Sequence, residues 1–222
     1  MKFSVSLTLL VALIIIPTSS ALGQVIGPQV LLTWQAATYV PPNFNGKALP
    51  TSDSQITAGV DLIDQGQHVD LSSFKIYWYL NDAFFQGGAG LTRVSFTAPH
   101  FIGKTSVRLR VAVSNYGNGA SRTIQIPVVP AQAVIESSSP SLSAATVPFT
   151  LQADPYFFNV QDPSLLQFNW TMNGSSVGTQ NPFVITQAMA QSGNPVPLEL
   201  QITNPARAIE SARQDIILFP SS

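Results

Sequence analysis

The sequence predicts an all-β chain: two Greek-key β-sandwiches in tandem behind an N-terminal leader. Three observations carry that prediction. Short runs with apolar and polar residues in alternation recur between Gly, Pro, Asn and Ser clusters, the pattern of sandwiches and barrels. Asp70, Ser72, Trp78 and Asn81 come back at a constant offset as Asp162, Ser164, Trp170 and Asn173, with like-for-like swaps between them (Phe74/Leu166, Lys75/Gln167, Ile76/Phe168, Leu80/Met172). No window keeps a helical period, although residues 187–191 have room for one turn.

The leader comes first. Lys2 supplies a positive start, residues 5–16 are an apolar run, Pro17 breaks it, and Ala21-x-Gly23 gives small residues at cleavage-site spacing. This is the three-part pattern of a secretory signal peptide over 1–23, leaving Gln24 as the first mature residue, with Leu22 as the alternative. The run is shorter than the roughly 18–20 residues a membrane span needs. There is no Cys, so no lipidated Cys anchors the chain and no disulfide supports it, which points to a microbial rather than a disulfide-rich eukaryotic source.

In the first half, Val30, Leu32 and Trp34 share one face of a strand. A loop follows over 39–50, and then Ile56, Ala58, Val60 and Leu62 alternate with polar residues. Gln65-Gly66-Gln67 reads as a turn. On the next strand Phe74, Ile76, Trp78 and Leu80 face the core, and Lys75, Tyr77 and Tyr79 face out. The Gly-rich stretch 86–90 reads as a turn, with Phe84-Phe85 in the loop that leads to it. Val94 and Phe96 form a short strand. Val107, Leu109, Val111 and Val113 form a long one, a Gly/Asn loop at 115–119 follows, and Ile124, Ile126 and Val128 close the unit. A Pro-containing junction near Pro130 divides 24–130 from 131–222 and predicts a semi-rigid pair.

The second half repeats the plan. Val134-Ile135, then Phe149, Leu151 and Ala153, precede the repeated block; the Asn173-Gly174 turn, Phe183-Val184-Ile185, the Leu198-Leu200-Ile202 alternation and Ile216-Ile217-Leu218 follow it. From core Trp to matching Leu the spacing is 31 residues in the first unit (Trp78 to Leu109) and 30 in the second (Trp170 to Leu200). The Trp on a central strand, the Asn-Asp or Asn-Gly turn and the two alternating strands after it resemble the immunoglobulin-like and PKD-like domains of microbial secreted and surface proteins. Neither copy carries the full Gly-Asp-Gly of PKD domains, so the generic immunoglobulin-like sandwich is the closer pattern. The resemblance implies a spacer, adhesion or interaction module.

Composition narrows the function classes. Charged residues are 9% of the chain, against about 25% in ordinary soluble proteins. Without Lys2, nine basic side chains face eleven acidic ones, two net negative charges, with none of the basic stripe a nucleic-acid binder shows. His68 and His100 have no second His and no Cys nearby in sequence and read as solvated loop residues; zinc takes three or four such ligands. Asp61, Asp64 and Asp70, and likewise Asp154 and Asp162, flank one connection in each unit. The favoured reading is that Asp70 and Asp162 accept backbone N–H bonds in a turn, helped by Ser72 and Ser164, rather than hold calcium. There is no Gly-x-Ser-x-Gly elbow. The expectation is therefore a non-enzyme without metal or cofactor.

The candidate binding residues are the outward aromatics Tyr77 and Tyr79 with Phe84 and Phe85, since such rings serve as sugar platforms and interface anchors. The competing reading packs them against a covering loop such as 39–50, against the other domain, or in cross-strand pairs. The expected partner is a protein or a glycan at the cell surface, with no nucleic acid and no transmembrane span in the mature chain. A carbohydrate-binding module and a periplasmic or pilus-type component that pairs by strand addition are the alternatives.

Overall fold

A computed structural model describes residues 27–101, 105–117, 119–140, 142–143, 147–190, 194–207 and 209–219. The leader, and the Gly103 end of the turn after Pro99, lie outside the described residues. The fold is two antiparallel β-sandwiches of the immunoglobulin-like kind.

In the first, β1 (Gln29–Ala36) pairs with β2 (Gln55–Asp64), whose other side takes β6 (Arg93–Thr97) and the two-residue β3 (Gln67–His68). The facing sheet has the order β5 (Ala83–Ala89), β4 (Lys75–Leu80), β7 (Thr105–Val113), β8 (Ala120–Val128). The second repeats this arrangement. One sheet is β9 (Gln132–Ser137), β10 (Phe149–Tyr156) and β13 (Phe183–Ile185). The other is β12 (Ser175–Gly178), β11 (Gln167–Met172), β14 (Val196–Thr203) and β15 (Ser211–Leu218). Each therefore carries three main strands against four. Among the described residues the one α-helical turn is α1 (Gln187–Ala190).

Alternation explains the cores. Ile56, Ala58, Val60 and Leu62 are buried on β2 because every second side chain points inward. They meet Ile76, Trp78, Leu109, Val111 and Ile126 from the facing sheet. Leu151, Ala153, Trp170, Leu198, Leu200 and Ile202 build the second core in the same way. The two central-strand Trp side chains are fully buried, and each indole N–H finds a carbonyl: Leu91 O at 2.9 Å for Trp78 and Gln180 O at 3.0 Å for Trp170.

The turns also repeat. Asn81 and Asp82 (φ 49° and 68°) join β4 to β5, and Asn173 and Gly174 (φ 50° and 78°) join β11 to β12. Positive φ at both central residues is the two-residue hairpin turn that suits strand twist, and Asn, Asp and Gly adopt it at least cost. Ahead of each central strand, Asp70 Oδ1 accepts from Ser72 N at 2.9 Å and Asp162 Oδ1 from Ser164 N at 2.8 Å. Those backbone N–H groups, with the serine hydroxyls second, hold both carboxyls below the ordinary value of 3.8. A depressed folded value adds stability above the unfolded value, and that stability is lost as pH falls through the folded one. The double variant Asp70→Asn, Asp162→Asn is expected to show a flatter acid limb than the parent when urea midpoints are followed downward from about pH 5.

Two expectations change. The 86–90 stretch is not a turn, and Phe84-Phe85 are not in a loop: both belong to β5, and only Gly90 is in the turn that ends it. Gly-rich composition suggests a turn, but Gly87 is needed within the strand, where an added Cβ would stand 2.6 Å from Tyr77 Cδ1. The loop 39–50 does not cover the tyrosines. It reaches the second sandwich, where Tyr39 N donates to Phe158 O (2.8 Å) and Phe157 N to Tyr39 O (2.7 Å).

Candidate functional site

The outward face of the β5-β4-β7-β8 sheet gathers three of the four candidate rings. Register sets them: Tyr77 lies between Gly87 and Ala112, and Tyr79 between Phe84 and Arg110. The Phe84 ring is 5.9 Å from Tyr79, edge to face, and 6.5 Å from Tyr77. The Arg110 guanidinium sits 3.7 Å from the Tyr79 ring centre, a cation–π contact. Tyr77 and Tyr79 are half-buried by these cross-strand neighbours, whereas Phe84 is 63% exposed. At one end of the face Arg108 pairs with Asp82 at 3.1 Å.

Phe85 does not join them. The ladder shifts between Trp78 and Tyr79, so that Trp78 faces Gln86 while Tyr79 faces Phe84, and Phe85 is the extra residue of a bulge. Its ring turns toward Phe96, 6.1 Å away. Alternation places Tyr77 and Tyr79 from sequence alone; a bulge has no such signature.

The second sandwich carries a different surface on the same frame. Asn169 and Thr171 replace the tyrosines, Asn169 Nδ2 donates to Thr171 Oγ1 (3.3 Å), and Ser176 Oγ donates to Asn169 Oδ1 (2.7 Å). Glu199 pairs with Arg213 at 3.1 Å.

The junction forms the second feature. The Phe44 ring packs edge-on against Tyr156 (5.4 Å) and Phe157 (6.1 Å), and Lys47 Nζ stands 3.7 Å over the Trp34 ring, so the loop is fastened to both sandwiches. Burial lowers the Lys47 ammonium from its ordinary value. Phe157 has φ 63°, a left-handed conformation that costs a bulky residue about 1–3 kcal/mol. It turns the chain out of β10 so that fully buried Phe158 can bridge Tyr39. Asn159 Nδ2 donates to Ser52 O (3.0 Å) and Arg207 Nη1 to Asp53 O (3.4 Å). A cleft of about 500 Å³ lies between the halves, lined by Ser52, Asp53, Phe101, Pro130, Arg207 and Ile209 among others.

Ser52, Asp53 and His100 meet at this junction, a cluster the sequence reading misses. The β2–β6 register, Gln55 opposite Thr97, carries residues 52 and 100 toward each other. The histidines are thus not simply solvated: His68 is on β3, 3.2 Å from Asp61, and His100 Nδ1 is 2.9 Å from Asp53 Oδ2. Ser52 Oγ is 3.3 Å from that same Nδ1. In a nucleophilic triad Ser and Asp use opposite ring nitrogens, so this trio lacks the relay. Among the described residues no three His, Cys, Asp or Glu side chains converge as metal ligands, and no helix is long and apolar enough to cross a membrane.

No protein family matches the chain by sequence, and no curated protein matches it. Solved structures do. Three N-terminal domains of the outer capsid protein Hoc of bacteriophage RB49 match at TM-score 0.43 and 10% identity, covering 87% of this chain and 59% of that one. The fibronectin(III)-like modules of CbhA from Clostridium thermocellum match at TM-score 0.29 and 11% identity, covering 86% and 94%. A bacterial ice-binding adhesin matches at TM-score 0.29 and 12% identity, covering 88% and 65%. The fold assignment rests on the strand order and register described above.

Proposed function

We propose that this chain is a secreted or cell-surface interaction module without catalytic activity. In this reading residues 1–23 are a signal peptide, and sandwiches 24–130 and 131–222 form a semi-rigid pair. The outer β4-β5-β7 face of the first is its partner-binding surface. One observation carries this: the two units keep the same Trp, turn and capping Asp, and differ on the face that no core requires. Tyr, Phe and Arg on one unit stand against Asn, Thr and Ser on the other. Tyr and Arg are enriched where protein interfaces concentrate their binding energy. Arg110 already occupies a face of Tyr79, which favours a protein partner over a stacked sugar.

The test uses the mature chain, labelled, on cells of the producing organism and on a glycan array. Phe84→Ala with Arg110→Ala is expected to weaken cell binding by about thirtyfold, the loss of one hot spot of about 2 kcal/mol. Unchanged binding by a variant with native circular dichroism removes the face as the site. Array binding that depends on Phe84 makes the partner a glycan. A hydrolase activity abolished by one Asp or Glu substitution overturns the reading altogether.

A further inference from the structure

β5 is the outermost strand of its sheet, and six of its seven residues, Ala-Phe-Phe-Gln-Gly-Gly-Ala, are exposed. It contains no charge and no proline, the devices that ordinarily keep an edge from pairing. Other edges among the described residues are guarded or short: β6 carries Arg93, and β13 has only three residues. β8 carries Arg122 and Pro127, β9 carries Glu136, and β12 has only four residues. β15 carries Arg213 and Asp215, and Ser143 bridges its end at Phe219. β1 is uncharged as well, but it lies alongside β8 at the seam of the sandwich.

The hydrogen-bond phase of β5 follows from one bond. Gly90 N donates to Phe74 O at 3.0 Å, so these two form a bonded pair. Alternation along an antiparallel ladder then makes Ile76–Gly88 bonded, and Lys75–Ala89 and Tyr77–Gly87 non-bonded. The Lys75 carbonyl agrees, since it accepts from Ser114 N on the β7 side at 2.8 Å. Gly87 and Ala89 therefore direct N–H and C=O away from β4, and their side chains are too small to obstruct an incoming strand.

We infer that β5 pairs antiparallel with β5 of a second copy of this chain, joining the two outer sheets across a two-fold axis. Charge selects this occupant. Asp82, exposed and bonded through Oδ2 to Arg108 of its own chain, flanks one end of the strand, and Lys75 stands on β4 opposite Ala89 at the other end. Lys75 is exposed and has no ion pair among the described residues. A two-fold antiparallel pair brings Asp82 of each copy toward the partner's Lys75, twice, while the neutral strands between them meet without repulsion. A parallel pair would bring like ends together. One short strand from each copy makes a small contact, so the dimer is of the weak class that buries less than about 1,200 Å². The inference goes beyond the partner-binding reading and does not rest on it: pairing consumes the backbone edge of β5, not the outward ring face of β4, β5 and β7.

Sedimentation of the mature chain over a wide concentration range tests this. The parent is expected to show a reversible monomer–dimer equilibrium. Ala89→Pro removes an outward N–H that β4 does not use, and Lys75→Glu sets like charges opposite each other. Each is expected to weaken dimerisation by at least about tenfold, with circular dichroism and melting unchanged. An Asp82→Lys chain is expected to be monomeric alone and to associate when mixed with the Lys75→Glu chain, because the mixture restores both attractive contacts. Thr33→Lys on β1 is expected to leave the dimer intact. A parent that stays monomeric throughout overturns the inference. So does a dimer that survives both Ala89→Pro and Lys75→Glu, or one that Thr33→Lys dissolves. A monomeric parent that takes up an added extended peptide at this edge replaces the second copy with a foreign strand.

Discussion

Trp170→Ala is expected to destabilise the second sandwich by about 3–5 kcal/mol, the range for deleting a large buried aromatic ring. The Trp170 ring is fully buried, stacks on Phe183 with centroids 5.0 Å apart, and donates to Gln180 O. Truncation leaves a cavity against Phe183 and an unpaired carbonyl. Urea unfolding followed by far-UV circular dichroism checks it. A midpoint shift equivalent to less than about 1 kcal/mol would mean that the central strand does not anchor this core.

Glu210→Ala should have the next largest effect. Glu210 is 7% exposed, and its two oxygens serve two donors: Oε1 accepts from Asn159 N at 2.7 Å, and Oε2 from Asn204 Nδ2. Alanine strands both donors in a poorly solvated place, at a cost of about 1–3 kcal/mol each. Glu210→Gln, which keeps one acceptor, should recover part of the loss. Asn159 also donates to Ser52 O in the first half, so Glu210→Ala has a second consequence. The two halves should sample a wider range of relative orientations, read as a broader distance distribution in small-angle scattering. Loss of stability with an unchanged distribution would confine Glu210 to the second sandwich.

The sandwiches were readable in the sequence because burial on one face leaves a period of two, as in Val107, Leu109, Val111 and Val113, all buried on β7. The repeated Asp-x-Ser turns were readable too, since their hydrogen bonds span two residues and need no tertiary context. β5 was not. Its Gly87 answers to Tyr77 on the neighbouring strand, a requirement written in three dimensions rather than along the chain. The candidate face was half legible: alternation turns Tyr77 and Tyr79 outward, but the extra residue that sends Phe85 toward Phe96 is a ladder irregularity with no composition of its own. The reach of Tyr39 and Phe44 to Phe157 and Phe158 spans more than a hundred positions and leaves no local pattern.

That reach has a kinetic side. β8 ends at Val128 and β9 begins at Gln132, so three residues tether the two sandwiches. If the loop lets go of Phe158, its target stays within a few residues' length, and rebinding is an intramolecular event at an effective concentration of about millimolar or above. Contacts too weak to hold separate molecules together can therefore keep this joint closed most of the time. The loop's grip depends on linker length as much as on its own bonds. Val129 N donates to Pro50 O at 2.9 Å, so a flexible insert placed between Pro130 and Ala131 keeps that bond and would loosen the joint by lowering the effective concentration.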